Sequence, residues 1–449
     1  NKWGAFPGLS AGWILSEEEF IKNIKAISFL KLRASYGQTG NANIGDFASL
    51  GYYSSSVGYN GNSAIVPSTL SNKDLRWEKS NQVDVNLDIA FFKNRFAAGF
   101  NYYYKTSNDL LLNISIPTSS GYSQILQNKG KLENEGLEIT FNTKNIEGKF
   151  SWYTDFNIAF NRNKVLDVDG LKPDAFDDKD LGNRGGEGRV VEGFPVGQFY
   201  VVEWAGVQQQ EGTLQLWNSD GSPKLENGQP VFVNVPAGTE LFKDKNGNIM
   251  TYANPTGGEF YGDNRKPMGN PMPKFIGGIT NTFTYKGFEL NFMFNFVYGN
   301  SIYDDAAKSQ IGSFNNINQR PDILSAYTEG TPSTEIPALY NNSGSTNPKS
   351  DYVAINSSRW LYDASYIRLR SLTFSYSFKE EWCNKVKLSN VKVFINGGNL
   401  LTFTKFPGMD PEVLRNIDPD SERGNIAFGG PYLGTPQAKT ITAGINIKF

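Results

Sequence analysis

The chain has 449 residues, 39% of them hydrophobic, and 43 Lys and Arg against 45 Asp and Glu give a net charge of −2. That balance excludes the strongly basic footprint of a general nucleic-acid binder. A single Cys, Cys383, excludes an internal disulfide and multi-Cys metal sites, and the absence of His excludes Ser–His–Asp and Cys–His catalysis, two-His zinc motifs and an imidazole pH switch.

No run of about 18 apolar residues occurs, so no transmembrane helix is predicted. The opening Asn1 to Pro7 lacks a basic start and an apolar core, which predicts a mature segment or part of one rather than a signal peptide. The dominant signal is instead a period of two. In chain order it predicts strands at 4–15, 28–38, 79–92, 95–107, 132–144, 149–163, 273–285, 288–300, 364–378, 391–404 and 437–449. The clearest run sets Phe288, Leu290, Phe292, Phe294, Phe296 and Tyr298 against Glu289, Asn291, Met293 and Asn295. These segments exceed the roughly 5–6 residues of an average globular strand and match the ~9–11 of a tilted membrane strand.

The connections alternate. Short ones are 16–27, 93–94, 145–148, 286–287 and 379–390; long ones are 39–78, 108–131, 164–272, 301–363 and 405–436. Up-and-down outer-membrane barrels show this asymmetry, with short periplasmic turns and long external loops. A soluble sandwich or solenoid also yields period-two strands, but structureless loops of this length count against a soluble domain. The long loops are expected to fold together as a cap over the lumen. Two short connections read as helical: Glu17 to Ala26 behind a Ser16 N-cap, and Lys379 to Lys387.

Chemistry-bearing motifs are sparse. Gly8-Leu9-Ser10-Ala11-Gly12 matches a nucleophile elbow in spacing, but the serine has no His base, so small residues on a strand is the better reading. The glycines between Gly182 and Gly188 lack phosphate-loop spacing, and Asp177, Asp178 and Asp180 read as a solvated loop. Asp244, Asn246 and Asn248 resemble the start of a calcium loop, yet its twelfth position is Pro255 rather than Glu, which favours a structural turn. Aromatics in the long loops, Trp204, Trp217, Tyr261, Trp360 and Tyr362 with Tyr200, suit either small loop cores or contacts with a cargo or a lid; core is favoured for any one of them. Trp13, Trp152, Tyr104 and Tyr298 read as interfacial girdle. Phe449 closes the last strand and reads as an assembly signal.

Several stretches resemble the C-terminal half of SusC/RagA-type TonB-dependent outer-membrane transporters. They are Leu75 to Gln82 with Asp84 and Asp88, Phe91 to Arg95, Tyr102 to Thr106, Asp109 to Leu111, Asn128 to Gly130, Asn134 to Glu138, Val196 to Tyr200, Gly262 to Arg265, Gly269 to Phe275, Tyr366 to Thr373 and Phe394 to Leu400. The resemblance covers nearly the whole chain. It departs at Asn248-Ile249, where the family often has a further Asp-Gly, and this weighs against an ion site there. The resemblance implies an all-β antiparallel transmembrane barrel in a Gram-negative outer membrane, eleven strands here being half of a 22-stranded barrel. It implies residues 1–449 as the C-terminal part, with plug domain and N-terminal strands absent from this chain. The implied function is active import of oligosaccharide or oligopeptide cargo, energised through TonB, with a SusD-like surface lipoprotein as lid. No covalent chemistry and no cofactor is expected, calcium being the one weak candidate; nucleic acid is not an expected partner, and the lipid bilayer is. A hydrolase barrel, a passive porin and an adhesin are the alternatives.

Overall fold

A computed structural model describes residues 3–41, 49–59, 62–122, 124–168, 188–258, 260, 264–311, 318–339, 355–413 and 434–449. Eleven long strands carry the fold: β1 (Gly8–Ile14), β2 (Ile27–Asn41), β3 (Glu78–Phe91), β4 (Phe96–Asn108), β5 (Lys131–Ile146), β6 (Phe150–Asp167), β7 (Phe275–Tyr285), β8 (Phe288–Tyr298), β9 (Tyr366–Ser377), β10 (Asn390–Thr404) and β11 (Thr440–Lys448). They form one antiparallel sheet in plain chain order. Every segment predicted from the period of two is a strand, with ends displaced by about four residues at most. Among the described residues β1 bonds only to β2 and β11 only to β10, so the sheet is open.

Cross-strand partners share a face, and this separates two chemistries across the sheet. Leu290 lies opposite Phe283 and Phe374, and Phe283 opposite Trp152. On that face rings meet between strands: Phe283 lies 5.6 Å from Trp152 and 6.0 Å from Phe292, and Phe156 lies 6.0 Å from Phe141. On the other face Asn291 lies opposite Thr282 and Thr373. There Asn291 donates to Thr282 Oγ1 at 2.8 Å, and Lys392 pairs with Glu289 at 3.0 Å. The aromatic face is the one that lipid accepts. Phe292→Arg is therefore expected to destabilise the folded barrel by about 2–4 kcal/mol, and Asn291→Arg by clearly less. Urea unfolding in lipid vesicles measures both; equal losses would overturn the assignment of faces.

One polar cluster interrupts the aromatic face. Asn281 accepts from Trp152 Nε1 at 2.8 Å and from Thr154 Oγ1 at 2.7 Å, and Asn145 donates to Thr154. These polar groups satisfy one another, which is the condition for placing them against hydrocarbon. Cations sit over rings at both strand ends: Lys286 over Tyr285 at the short-turn end, and Lys274 over Tyr298 at the long-loop end. An aromatic girdle with snorkelling cations has this arrangement.

The shortest hairpin turns at Lys286 and Gly287, both at positive φ (49° and 87°), as a two-residue primed turn requires. The helical expectations need correction at their ends. Leu15–Glu17 is a 3-10 turn and Glu19–Lys22 a single α-helical turn. Ser16 lies inside the first turn and caps neither, and the chain leaves the helix well before Ala26. The second stub is Glu380–Lys385.

The motif residues of the β3–β5 region converge at the long-loop end. The Asn128 side chain accepts from the Arg76 amide at 2.8 Å and donates to the carbonyls of Arg76 and Asp109. Arg76 pairs with Asp109 at 2.8 Å, and Glu78 accepts from the Leu111 amide. Their role is to clamp neighbouring strand ends. At the chain's other end, Phe449 follows β11 and is 89% exposed. Its removal is expected to lower the yield of membrane-inserted protein, as quantified by membrane fractionation. Normal insertion would refute an assembly role.

Candidate functional site

The two longest loops build one cap. Residues 188–267 contribute a five-stranded sheet centred on Gln198–Val207, flanked by Gly188–Arg189, Glu240–Lys243, Ile249–Met250 and Arg265–Pro267. The 301–363 loop contributes the hairpin Ser301–Tyr303 with Leu361–Asp363, the helix Asp305–Gln310 and a 3-10 turn, Ser358–Trp360. Phe199 and Val201 of the first loop pack with Tyr303, Ala307, Ile336 and Trp360 of the second. Val202, Phe242, Met250, Phe260 and Ile355 form a second shared core.

Charge is buried in the same seam. Arg359 pairs with Glu240 at 3.0 Å, both almost wholly enclosed. Burial pushes the Glu240 carboxyl up to about 7, against the opposing pull of Arg359. The guanidinium lies 4.4 Å from the Trp360 ring centroid and 5.8 Å from that of Trp204. Nearby, hydrogen bonds from Lys243 and Lys266 hold Glu203 below the usual carboxylate range. Burial raises Asp304 although it accepts from the Ala307 amide and pairs with Arg320. On the polar face of β9, Arg368 pairs with Asp410 and Glu412, and Arg370 also reaches Glu412 at 2.9 Å.

The aromatic candidates divide. Trp360 is 1% exposed and donates to the Ile355 carbonyl at 3.0 Å. It fills the core shared by the two loops. Trp204 packs on the Val202 and Phe242 core, and Tyr362 sits edge-on to Phe406 at 6.1 Å. Trp217, half-buried like Trp204 and Tyr362, lies on a hairpin margin where it bridges to Pro223. Tyr261 lies outside the described residues, as do Asp177, Asp178, Asp180 and the glycines from Gly182 to Gly186. Ser10 sits mid-strand in β1 opposite Ser35, as a strand reading requires.

The calcium-like turn closes on itself. Asp244 Oδ1 accepts from the amides of Asn246 and Asn248 at 2.8 Å each. Its Oδ2 accepts from Asn248 Nδ2 and Thr256 Oγ1 at 3.1 Å each. Four protein donors occupy the carboxylate, and Gly247 at φ 88° completes the bend. Among the described residues no cluster of three or more Asp, Glu, Cys or His has metal-binding geometry.

A cleft of about 900 Å³ opens beside the cap, at the long-loop end of β6. Its walls include Phe160, Arg162 and Lys164 of β6, Phe194 of the cap, and Lys274 and Phe275 leading into β7. The β6–β7 ladder ends at the pair Ala159–Ile276, while β6 runs on to Asp167. The split lies where the backbone of 272–274 turns its amides away from β6. The Met272 amide turns instead to Asn270 Oδ1, and the Lys274 amide to the Tyr298 carbonyl. Phe194 gave no signal in the sequence, because its role comes from the strand edge beside it.

Comparison with known proteins agrees with this architecture. The family described as TonB dependent receptor-like, beta-barrel, matches residues 1–400. TonB-dependent receptor P3 of Formosa agariphila is 35% identical over all of this chain and 42% of its own length. TonB-dependent receptor SusC of Bacteroides thetaiotaomicron is 30% identical over all of this chain and 40% of its own. The chain thus spans about two fifths of the length of the curated relatives it matches. Among solved structures, the RagAB peptide transporter aligns over 99% of this chain and 43% of its own with a TM-score of 0.75 at 23% identity, a likeness of fold. The named relatives are receptors, not enzymes.

Proposed function

The chain belongs to the TonB-dependent receptor-like β-barrel family, and from that premise we propose that it is the C-terminal barrel part of an outer-membrane importer of oligomeric nutrients. The carrying observation is the pairing of an open eleven-stranded sheet with a folded cap built from its longest loops. A barrel wall supplies the path, and a cap with its own core supplies a shaped surface at the external end. In this reading TonB energises a plug contributed by preceding sequence, and a surface lipoprotein of the SusD type closes over the cap. The cargo is an oligosaccharide or an oligopeptide; the fold shared with the RagAB peptide transporter supports the second.

The test is uptake of labelled oligosaccharide and oligopeptide mixtures by cells carrying the complete protein, with and without functional TonB. Uptake that vanishes without TonB supports the reading. Uptake that persists identifies a passive pore, and degradation by the purified protein identifies a hydrolase. Trp217→Ala is expected to reduce cargo uptake or lid binding several-fold while cap stability stays unchanged. Unaltered uptake and unaltered lid capture would remove Trp217 from the contact surface.

A further inference from the structure

We propose that the cleft at the top of β6 binds an extended acidic peptide as an added β-strand. This site lies in the barrel wall and does not depend on what the barrel imports.

Strand parity carries the argument. In an antiparallel strand, a residue's N–H and C=O point to the same side, and the side alternates along the chain. Val165 directs both groups away from β5: its amide donates to the Phe194 carbonyl, and its carbonyl accepts from the Gly193 amide, both at 2.8 Å. The β5–β6 register is unbroken from Tyr153 to Val165, so Asn163 and Asn161 face the same way. Below them the β7 ladder has ended at Ala159. Four backbone groups, the N–H and C=O of Asn161 and of Asn163, therefore point into the cleft and have no partner among the described residues. Their side chains are engaged elsewhere: Asn161 accepts from Tyr103, and Asn163 accepts from the Val196 amide. The free groups are two residues apart, about 6.7 Å along a strand, which is the repeat an incoming strand presents.

A free edge is the chemistry that recognises a peptide backbone, through main-chain bonds that give affinity and side-chain pockets that give preference. The pockets here are two. Phe160, Phe194 and Phe275 supply an aromatic wall on which an apolar side chain packs. Lys164 and Lys274 flank the edge without an ion-pair partner among the described residues, whereas Arg162 lies 3.7 Å from Glu135, and Glu133 is bonded by Tyr104. These two lysines select carboxylate side chains. A sugar would meet no such alternation of donor and acceptor at strand spacing.

The experiment uses the full-length protein purified in detergent and a capped fluorescent peptide of alternating aspartate and phenylalanine, followed by anisotropy. Saturable binding is expected, weakened at least tenfold when two peptide amides two residues apart are N-methylated on the edge-facing side. Asn161→Pro, which removes one edge donor and leaves the β5 ladder intact, is expected to weaken binding similarly, and Lys164→Glu several-fold. Heat-modifiable gel mobility checks that each variant is folded. Failure of the parent peptide to bind overturns the proposal. So does equal binding of the N-methylated peptide to the unmodified protein, because adsorption to the aromatic wall alone would then explain the signal.

Discussion

Replacing Arg359 with Met is expected to open the cap by about 3–5 kcal/mol at pH 8, because Glu240 loses its counter-charge and must stay ionised in the core or take up a proton at a pH where the opened cap releases it. Native-state hydrogen exchange at the amides of 198–207 reads this directly. Arg359 also packs between two tryptophans, and Met conserves much of that apolar contact, so the loss reports charge more than volume. The double variant Arg359→Met with Glu240→Gln is expected to recover most of the loss. The pH dependence gives a second check. In the folded chain Glu240 holds its proton up to about pH 7, against 4.5 for an unperturbed Glu. The folded state thus binds more protons between those values, and cap stability falls as pH rises through that window and levels off above it. In Arg359→Met the pull that lowers the Glu240 pKa is gone, so the carboxyl stays neutral to still higher pH. The variant therefore loses less at pH 5, where a neutral Glu240 needs no partner, than at pH 8. Equal losses at the two pH values would sink the buried-pair account.

That pair also shows where sequence reasoning stops. Glu240 and Arg359 lie 119 positions apart and carry no local signature. The strands were legible because alternation repeats within each one: Phe288 to Tyr298 announces two faces before any partner is known. The Asp244 turn was ambiguous for a physical reason. Oxygen-bearing side chains at alternate positions around a glycine suit a cation, and equally suit a carboxylate that bonds the amides of its own turn. Only the four donors around Asp244 separate the two. Trp360 was hard for a related reason, since a tryptophan beside an arginine looks the same in a string whether the pair binds sugar or fills a core. The stretch Gly269 to Phe275 was visible as part of a family motif. That its Met272 and Lys274 amides turn away, so that the ladder parts above Ala159, needed the neighbouring strand to be seen.

The open sheet leads to the largest expected effect. Ten antiparallel steps separate β1 from β11, so the two edge strands run in the same direction. Joining them would make one parallel seam in an antiparallel barrel, whereas single-chain bacterial barrels close antiparallel with even strand numbers. Left unjoined in lipid, each unpaired N–H or C=O along these edges costs several kcal/mol. Both edges are built for lipid: Leu9 is 78% exposed, Ile441 76% and Ile445 64%. Plugged outer-membrane transporters have 22 strands, so we propose that eleven further strands fill the gap between β1 and β11, supplied by preceding sequence. Expressed alone, residues 1–449 are expected to yield no heat-modifiable barrel. Expressed with the preceding part of the protein, they are expected to yield one. A cysteine pair tests the seam itself. Ala11 and Ala443 lie on the aromatic face of the two edges, and Ala11→Cys with Ala443→Cys should not cross-link in the assembled barrel, because other strands lie between them. Efficient cross-linking within residues 1–449 alone, together with a heat-modifiable species, would show an eleven-stranded barrel closed on itself and refute the half-barrel reading.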